Sequence, residues 1–156
     1  MNEGEKTLYA RLSVFIAGFT LEAAEAVCNA EDRLDILQGL TSLVNNSLLR
    51  QEESLDGEPR FGMLETIRAY ALERLAESGE MEALRAGHAQ YYGDIILNQA
   101  SYGIFSANAL QRELDNIRAT LSRCATTPKG IELGAGLVWI RQWFWYRRGY
   151  FSEGRL

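Results

Sequence analysis

A single hairpin signal interrupts a chain otherwise patterned for helices. It is the stretch SLLRQEESLDGEPRFGML, from Ser47 to Leu64. Two short strand-like pieces flank Asp56-Gly57, the dipeptide best suited to a tight hairpin turn. Pro59 has no backbone donor, which confines its piece to a sheet edge or to the turn.

Helical spacing governs the residues on both sides. Leu8, Leu12, Phe15 and Ile16 fall on one face of a first helix. Gly18 breaks it, and Thr20 caps a second helix with Glu22 in its first turn and Leu21, Ala24, Val27 and Cys28 inward. Asp32 or Asp35 opens a third helix with the stripe Leu37, Leu40, Val44 and Leu48. Asn45-Asn46 suits its end, because Asn tolerates left-handed geometry. After the hairpin a further helix starts near Leu64, with Leu64, Ile67, Ala71, Leu72 and Leu75 inward, and Ser78-Gly79 closes it. Three helices, a hairpin and another helix are the order of a winged-helix domain, expected over residues 1–79.

From Glu80 onward the pattern is helical only. MEALRAGHAQYYGDIILNQA reads as one helix. Ser106 caps a second that carries Leu110, Leu114, Ile117 and Leu121, and TTPKG is a loop. IELGAGLVWIRQWFWYRR reads as a third, which Gly149 ends, and Ser152 looks like the cap of a fourth. Consecutive antiparallel helices with short breaks imply an α-solenoid over residues 80–156. The fold expected is therefore mainly α, with one small β-hairpin.

Composition narrows the function. With 47% hydrophobic and 24% charged residues the chain resembles an ordinary globular protein, and no apolar run approaches the roughly 18 residues a membrane span needs. The charged start MNEGEKTLYARL is unlike a signal peptide, so a cytoplasmic location is expected. Cys28 and Cys124 have no CxxC or neighbouring His, which favours buried, reduced thiols over a disulfide or a metal site. Residues 1–86 hold 16 Asp/Glu against 8 Lys/Arg, whereas residues 87–156 hold 5 against 8, a shift that suggests two units with different surfaces.

The wording of several segments goes beyond periodicity. LYARLSVFIAGFTLEAAEAV, LTSLVNNSLL, RFGMLETIRAYALERL, HAQYY, ELDNIRATL and WFWYRRGYFSEGR occur in that order. Together they resemble one stretch of bacterial STAND-class signalling ATPases, including SARP- and LuxR-type transcriptional regulators. There the stretch follows the nucleotide-binding domain and joins a winged helix to tetratricopeptide-like repeats. The resemblance implies that an ATPase domain precedes Met1, that the repeats continue past Leu156, and that both are partners of this segment. GYFSEG resembles the turn between paired repeat helices, although Gln142 stands where a small residue is usual. In the wider class the corner between last strand and last helix carries a Met-His-Asp motif whose His reaches a nucleotide phosphate. The matching positions here are Met63, Leu64 and Glu65. Leu64 cannot donate a hydrogen bond to phosphate, so the resemblance implies a packing contact with the ATPase domain instead. Met63, Leu64, Glu65 and Arg68 are the candidate interdomain contact. A core role for Leu64 in its own helix, with Glu65 as a helix N-terminal acid, is the competing reading.

No GxxxxGK[ST] is present, so no ATP binding, enzymatic activity or cofactor is expected. His88 is the sole histidine and has no nucleophile or acid constellation around it in sequence, so a surface or half-buried helical position is expected. Gly134 to Gly136 sits inside a helical pattern, and Glu52-Glu53 lies in the hairpin, where solvation explains both acids. A winged helix invites a DNA-binding reading, but the third helix contains no Lys or Arg and the hairpin sets Glu52, Glu53, Asp56 and Glu58 against Arg50 and Arg60. DNA contact is the alternative, and a regulatory protein-interaction module is the main reading. WIRQWFWYRR could stack single-stranded bases. Its Trp139, Trp143 and Tyr146 also make a packing stripe, which with Phe151 is the candidate interaction face. Self-association through that half is expected.

Overall fold

The computed structural model describes residues 1–31, 33–53, 58–102 and 111–124. The chain divides into two compact units, Met1–His88 and Ala89–Leu156. In order along the chain come α1 (Glu3–Leu12), β1 (Phe19–Thr20), α2 (Leu21–Cys28), α3 (Ile36–Asn45), β2 (Arg50–Glu53), β3 (Pro59–Gly62), α4 (Glu65–Ser78), α5 (Met81–Tyr102) and α6 (Leu114–Cys124). The protein is mainly helical with one small antiparallel sheet, in winged-helix order.

Each early helix starts on a residue suited to capping it. Asn2 and Glu5 exchange side-chain and backbone hydrogen bonds of 2.7 and 2.8 Å at the head of α1. Thr20 accepts from the Ala23 amide at α2, and Asp35 accepts from the Gln38 amide at α3. Of the two acids expected to open α3, Asp35 is the cap.

The first helix is shorter than its periodicity suggests. It ends at Leu12, because the Ser13 amide and hydroxyl both donate to the Ala10 carbonyl, at 3.2 and 2.6 Å. Phe15 stays buried from the following turn, while Ile16, expected inward, is exposed. Gly18 then adopts φ +93. A Cβ there would sit 3.0 Å from the Phe61 carbonyl, so a side chain would be strained by both space and conformation.

That turn delivers β1, a strand absent from the sequence reading. The sheet order is β1-β3-β2, with Phe61 opposite Phe19 on one side and Gln51 on the other. The Pro59 piece is thus the central strand, not an edge. Proline is tolerated because it is the first residue of β3 and β1 pairs only from Arg60 onward. The expected Asp56-Gly57 turn lies outside the described residues.

An aromatic row ties this sheet to the helices. Phe15 stacks on Phe19 at 4.7 Å, Phe19 faces Phe61 at 6.0 Å, and the His88 ring lies 5.4 Å from Phe15. His88 is buried, which corrects the surface or half-buried position expected of it. Leu8, Leu12, Leu40, Leu43 and Leu75 complete the core. Cys28 is buried among them, and desolvation pushes its thiol well above the ordinary range, consistent with an inert residue.

Helix α3 is turned by one residue from the expected stripe. Ile36, Leu40 and Leu43 face inward, and Leu37 is 59% exposed. Two stripes share Leu40 and fit the same spacing. Gly39 decides between them, since it lies on the buried side and a Cβ there would collide with the Leu8 side chain. The helix ends near Asn45-Asn46 as expected, yet the left-handed residue is Ser47, at φ 60. In α4, Ala71 and Leu75 are buried and Ile67 and Leu72 half-buried, but Leu64 is the N-cap and is exposed, which corrects its inward assignment. Gly79 closes α4 at φ 77.

In the second unit, the later part of α5 and α6 meet through polar groups. Asn116 Nδ2 donates to the Tyr92 hydroxyl at 3.1 Å and to Glu113 at 3.2 Å, and Thr120 donates to the Asn116 carbonyl at 3.0 Å. All four residues are buried, whereas Leu114 and Leu121 of the expected stripe are only half-buried. Expectations resting on Asp32, Ser106, Leu110 and residues 125–156 lie outside the described residues. These include the Gly134–Gly136 packing, the aromatic face of Trp139, Trp143, Tyr146 and Phe151, and the self-association argued from it. No helix among the described residues is long and apolar enough to cross a membrane.

Candidate functional site

Three surfaces of the first unit can carry function: the corner at the start of α4, the exposed side of α3, and the wing made by β2 and β3.

At the corner, β3 hands over to α4 through Met63 and Leu64. Met63 is half-buried and Leu64 is 41% exposed, so the apolar pair is only partly used by the fold. Glu65 does not point a free carboxylate outward. Arg68, one helical turn on, donates to its two oxygens at 3.3 and 3.1 Å. The same guanidinium donates through Nη1 to the Ser13 carbonyl at 3.1 Å, a residue 55 positions earlier. Arg68 therefore ties the end of α1 to the head of α4, beside the exposed Leu64. Of the four residues proposed from sequence, Arg68 has a visible positioning role and Leu64 offers contact area. Exposure removes the reading of Leu64 as a core residue.

The α3 surface is uncharged. Leu37, Gln38, Thr41 and Asn45 are exposed, and Asp35 stands at the N-terminal end. In the turn before α3, Arg33 is paired with Glu31 at 3.2 Å. Gln, Thr and Asn can read base edges, but a protein seats itself on DNA through cations that meet phosphate.

The wing is acidic. Gln51, Glu52, Glu53 and Glu58 are exposed, with Arg50 the exposed cation at the base of β2. Arg60, opposite Glu52 in the ladder, is half-buried and its Nη2 atom is out of reach of solvent. Among the described residues no group of His, Cys, Asp and Glu could hold a metal ion.

Sequence reasoning missed a clamp beside these surfaces. Arg11 donates through Nε to Glu80 at 3.0 Å and through Nη2 to its other oxygen, and through Nη1 to the Cys28 carbonyl at 2.8 Å. Hydrogen bonding by Arg11 holds the Glu80 carboxyl below its usual range and raises Arg11 in turn. The cation also satisfies a carbonyl at the C-terminal end of α2. The partners are 69 positions apart, so no local signal could have paired them.

Two consecutive helices, a third presented behind them and a β-wing folded against the set define a winged helix-turn-helix. The sequence agrees: residues 1–76 match the winged helix-turn-helix domain family. Over 166 aligned residues the chain is 33% identical to proteins named "Putative HTH-type transcriptional regulator" in Mycobacterium tuberculosis (strain H37Rv) and Mycobacterium bovis, an alignment covering 99% of this chain. It is also 37% identical over 90 residues to an uncharacterised protein of Mycobacterium tuberculosis, covering 56% of this chain and 23% of that relative. The chain spans 18% of the length of the regulators it matches. No solved structure gives a significant match.

Proposed function

We propose that this chain is a regulatory, non-enzymatic segment of a transcriptional regulator, in which the winged helix contacts protein and not DNA. The observation that carries it is the charge of the surfaces that would meet a duplex. Glu52, Glu53 and Glu58 oppose a phosphate backbone on the wing, and α3 offers no cation of its own. The resemblance to STAND-class proteins supplies the finer reading: the segment relays the nucleotide state of an ATPase domain to downstream tetratricopeptide-like repeats. In that arrangement Leu64, exposed at the head of α4, packs against the nucleotide-binding domain.

A second reading draws on the names of the relatives. The winged helix would itself bind DNA, with Gln38, Thr41 and Asn45 reading bases in the major groove. A fluorescence titration of the chain with duplex DNA, repeated at rising salt, separates the two. The protein-contact reading predicts background binding with no salt slope, and specific binding that weakens steeply with salt would overturn it. Calorimetry with ATP and magnesium tests the non-enzymatic part, for which no binding heat is expected.

A further inference from the structure

The first unit also contains a groove of about 680 Å³ along α1 and α4, on residues that the corner and the wing do not use. We propose that it docks a two-turn amphipathic helix of a protein partner whose apolar stripe is bordered by carboxylates.

Shape points to a helix. Tyr9 and Ala10 of α1 and Leu48 before β2 supply apolar lining, and Tyr70 and Arg74 of α4 form the facing wall. That wall continues to Ser78, so its members recur every fourth residue over nine positions. At 1.5 Å per residue it runs about 12 Å, the length of about two helical turns. Apolar grooves of this length take the i, i+3, i+4 and i+7 side chains of a partner helix. Tyr70 is 55% exposed, so its ring is open along this wall.

Charge points to carboxylates. Residues 1–86 carry twice as many acids as bases, yet this groove gathers Lys6 and Arg74. Glu80 also lines it, but its two oxygens are taken by Arg11. The Arg74 guanidinium lies 5.1 Å from the Tyr70 ring centroid, which steadies a cation directly above the apolar wall. Lys6 and Arg74 are ion-paired with exposed acids three residues away, Glu3 at 2.7 Å and Glu77 at 2.9 Å. Pairs of this kind exchange readily for an acceptor that also excludes water.

The proposal rests on the protein-contact reading, yet the two fail separately. Salt-dependent duplex binding would overturn that reading without touching the groove, and a groove that takes no helix would leave that reading intact. The probe is a fluorescein-labelled helical peptide with Leu at i, i+3, i+4 and i+7 and Glu between them, titrated with the full chain. Anisotropy should report saturable binding. Replacing the peptide's Glu by Lys, or its Leu by Ala, should abolish it. Arg74→Glu and Tyr70→Ala should each weaken binding about tenfold or more, with unchanged circular dichroism. Failure of the acidic peptide to bind overturns the proposal. So does equal binding by the Lys peptide, or affinity unmoved by Arg74→Glu.

Discussion

The two sides of the first unit differ in what they leave at the surface. On the α3 and wing side the exposed acids of the wing outnumber the exposed Arg33 and Arg50, and Leu37 stands out over Leu40 and Leu43, which have no exposed area. Along α1 and α4 an open tyrosine lies under an arginine, with a lysine at the rim. A winged helix that binds DNA needs cations on the first side. Here the first side carries an acidic wing, and on the second Lys6 and Arg74 border apolar surface.

Truncation on the two sides should diverge most in stability. Leu40→Ala removes a fully buried side chain behind the α3 surface, and chemical denaturation should show a loss of about 3 kcal/mol. Tyr70→Ala should change stability by less than about 0.5 kcal/mol, since its ring is mostly outside the core. Equal losses would erase the distinction between a finished face and an open one.

Arg68→Ala probes the corner that borders both sides. It removes the bond to the Ser13 carbonyl and the pairing with Glu65, and should cost about 1.5 kcal/mol by thermal unfolding. If the cost is nil, Arg68 does not tie the end of α1 to α4.

Glu80→Gln should cost about 1 kcal/mol near neutral pH, discounted because Glu80 is about a third exposed. The pH dependence has a definite sign. The folded carboxyl titrates below its ordinary value of 4.5, so its contribution is full above that value and is lost as pH falls through the lowered one. The gap between wild type and variant should therefore close on acidification. A gap that persists at low pH would assign the effect to packing and not to the ion pair.

The smallest effect is a gain. Ser47 holds φ 60, a conformation that penalises a side chain, so Ser47→Gly should stabilise the turn into the wing by about 0.5 kcal/mol. Destabilisation instead would mean that the hydroxyl, and not the backbone, governs this turn.

Much of the helical framework was legible because its signals are local. Asp35 and Thr20 cap the helices they precede, and Gly79 closes α4. What escaped depends on distance. Strand β1 is two residues long and exists only through pairing with Phe61 and Arg60. The rotation of α3 was hidden because Leu40 belongs to two stripes, and the choice lies in how closely Gly39 approaches Leu8. In α6 the spacing of Leu114, Ile117 and Leu121 favoured an apolar seam; Ile117 is buried as expected, but a hydrogen-bonded Asn116 faces Tyr92 beside it. A buried polar pair is indistinguishable from surface residues until its partner is known. The groove was illegible for the same reason, as Tyr9 and Tyr70 meet only after folding. The corner was found from its wording, yet Arg68's grip on Ser13 came from the structure.

The central claim, that charge keeps this winged helix off DNA, is tested most directly by reversing that charge. The chain and its triple variant Glu52→Lys, Glu53→Lys, Glu58→Lys would be titrated side by side with the same duplex over a salt series. The account predicts background binding by the natural chain and a new, salt-sensitive affinity in the variant, with a slope approaching three phosphate contacts. Specific, salt-dependent binding by the natural chain that Arg50→Ala abolishes would contradict it.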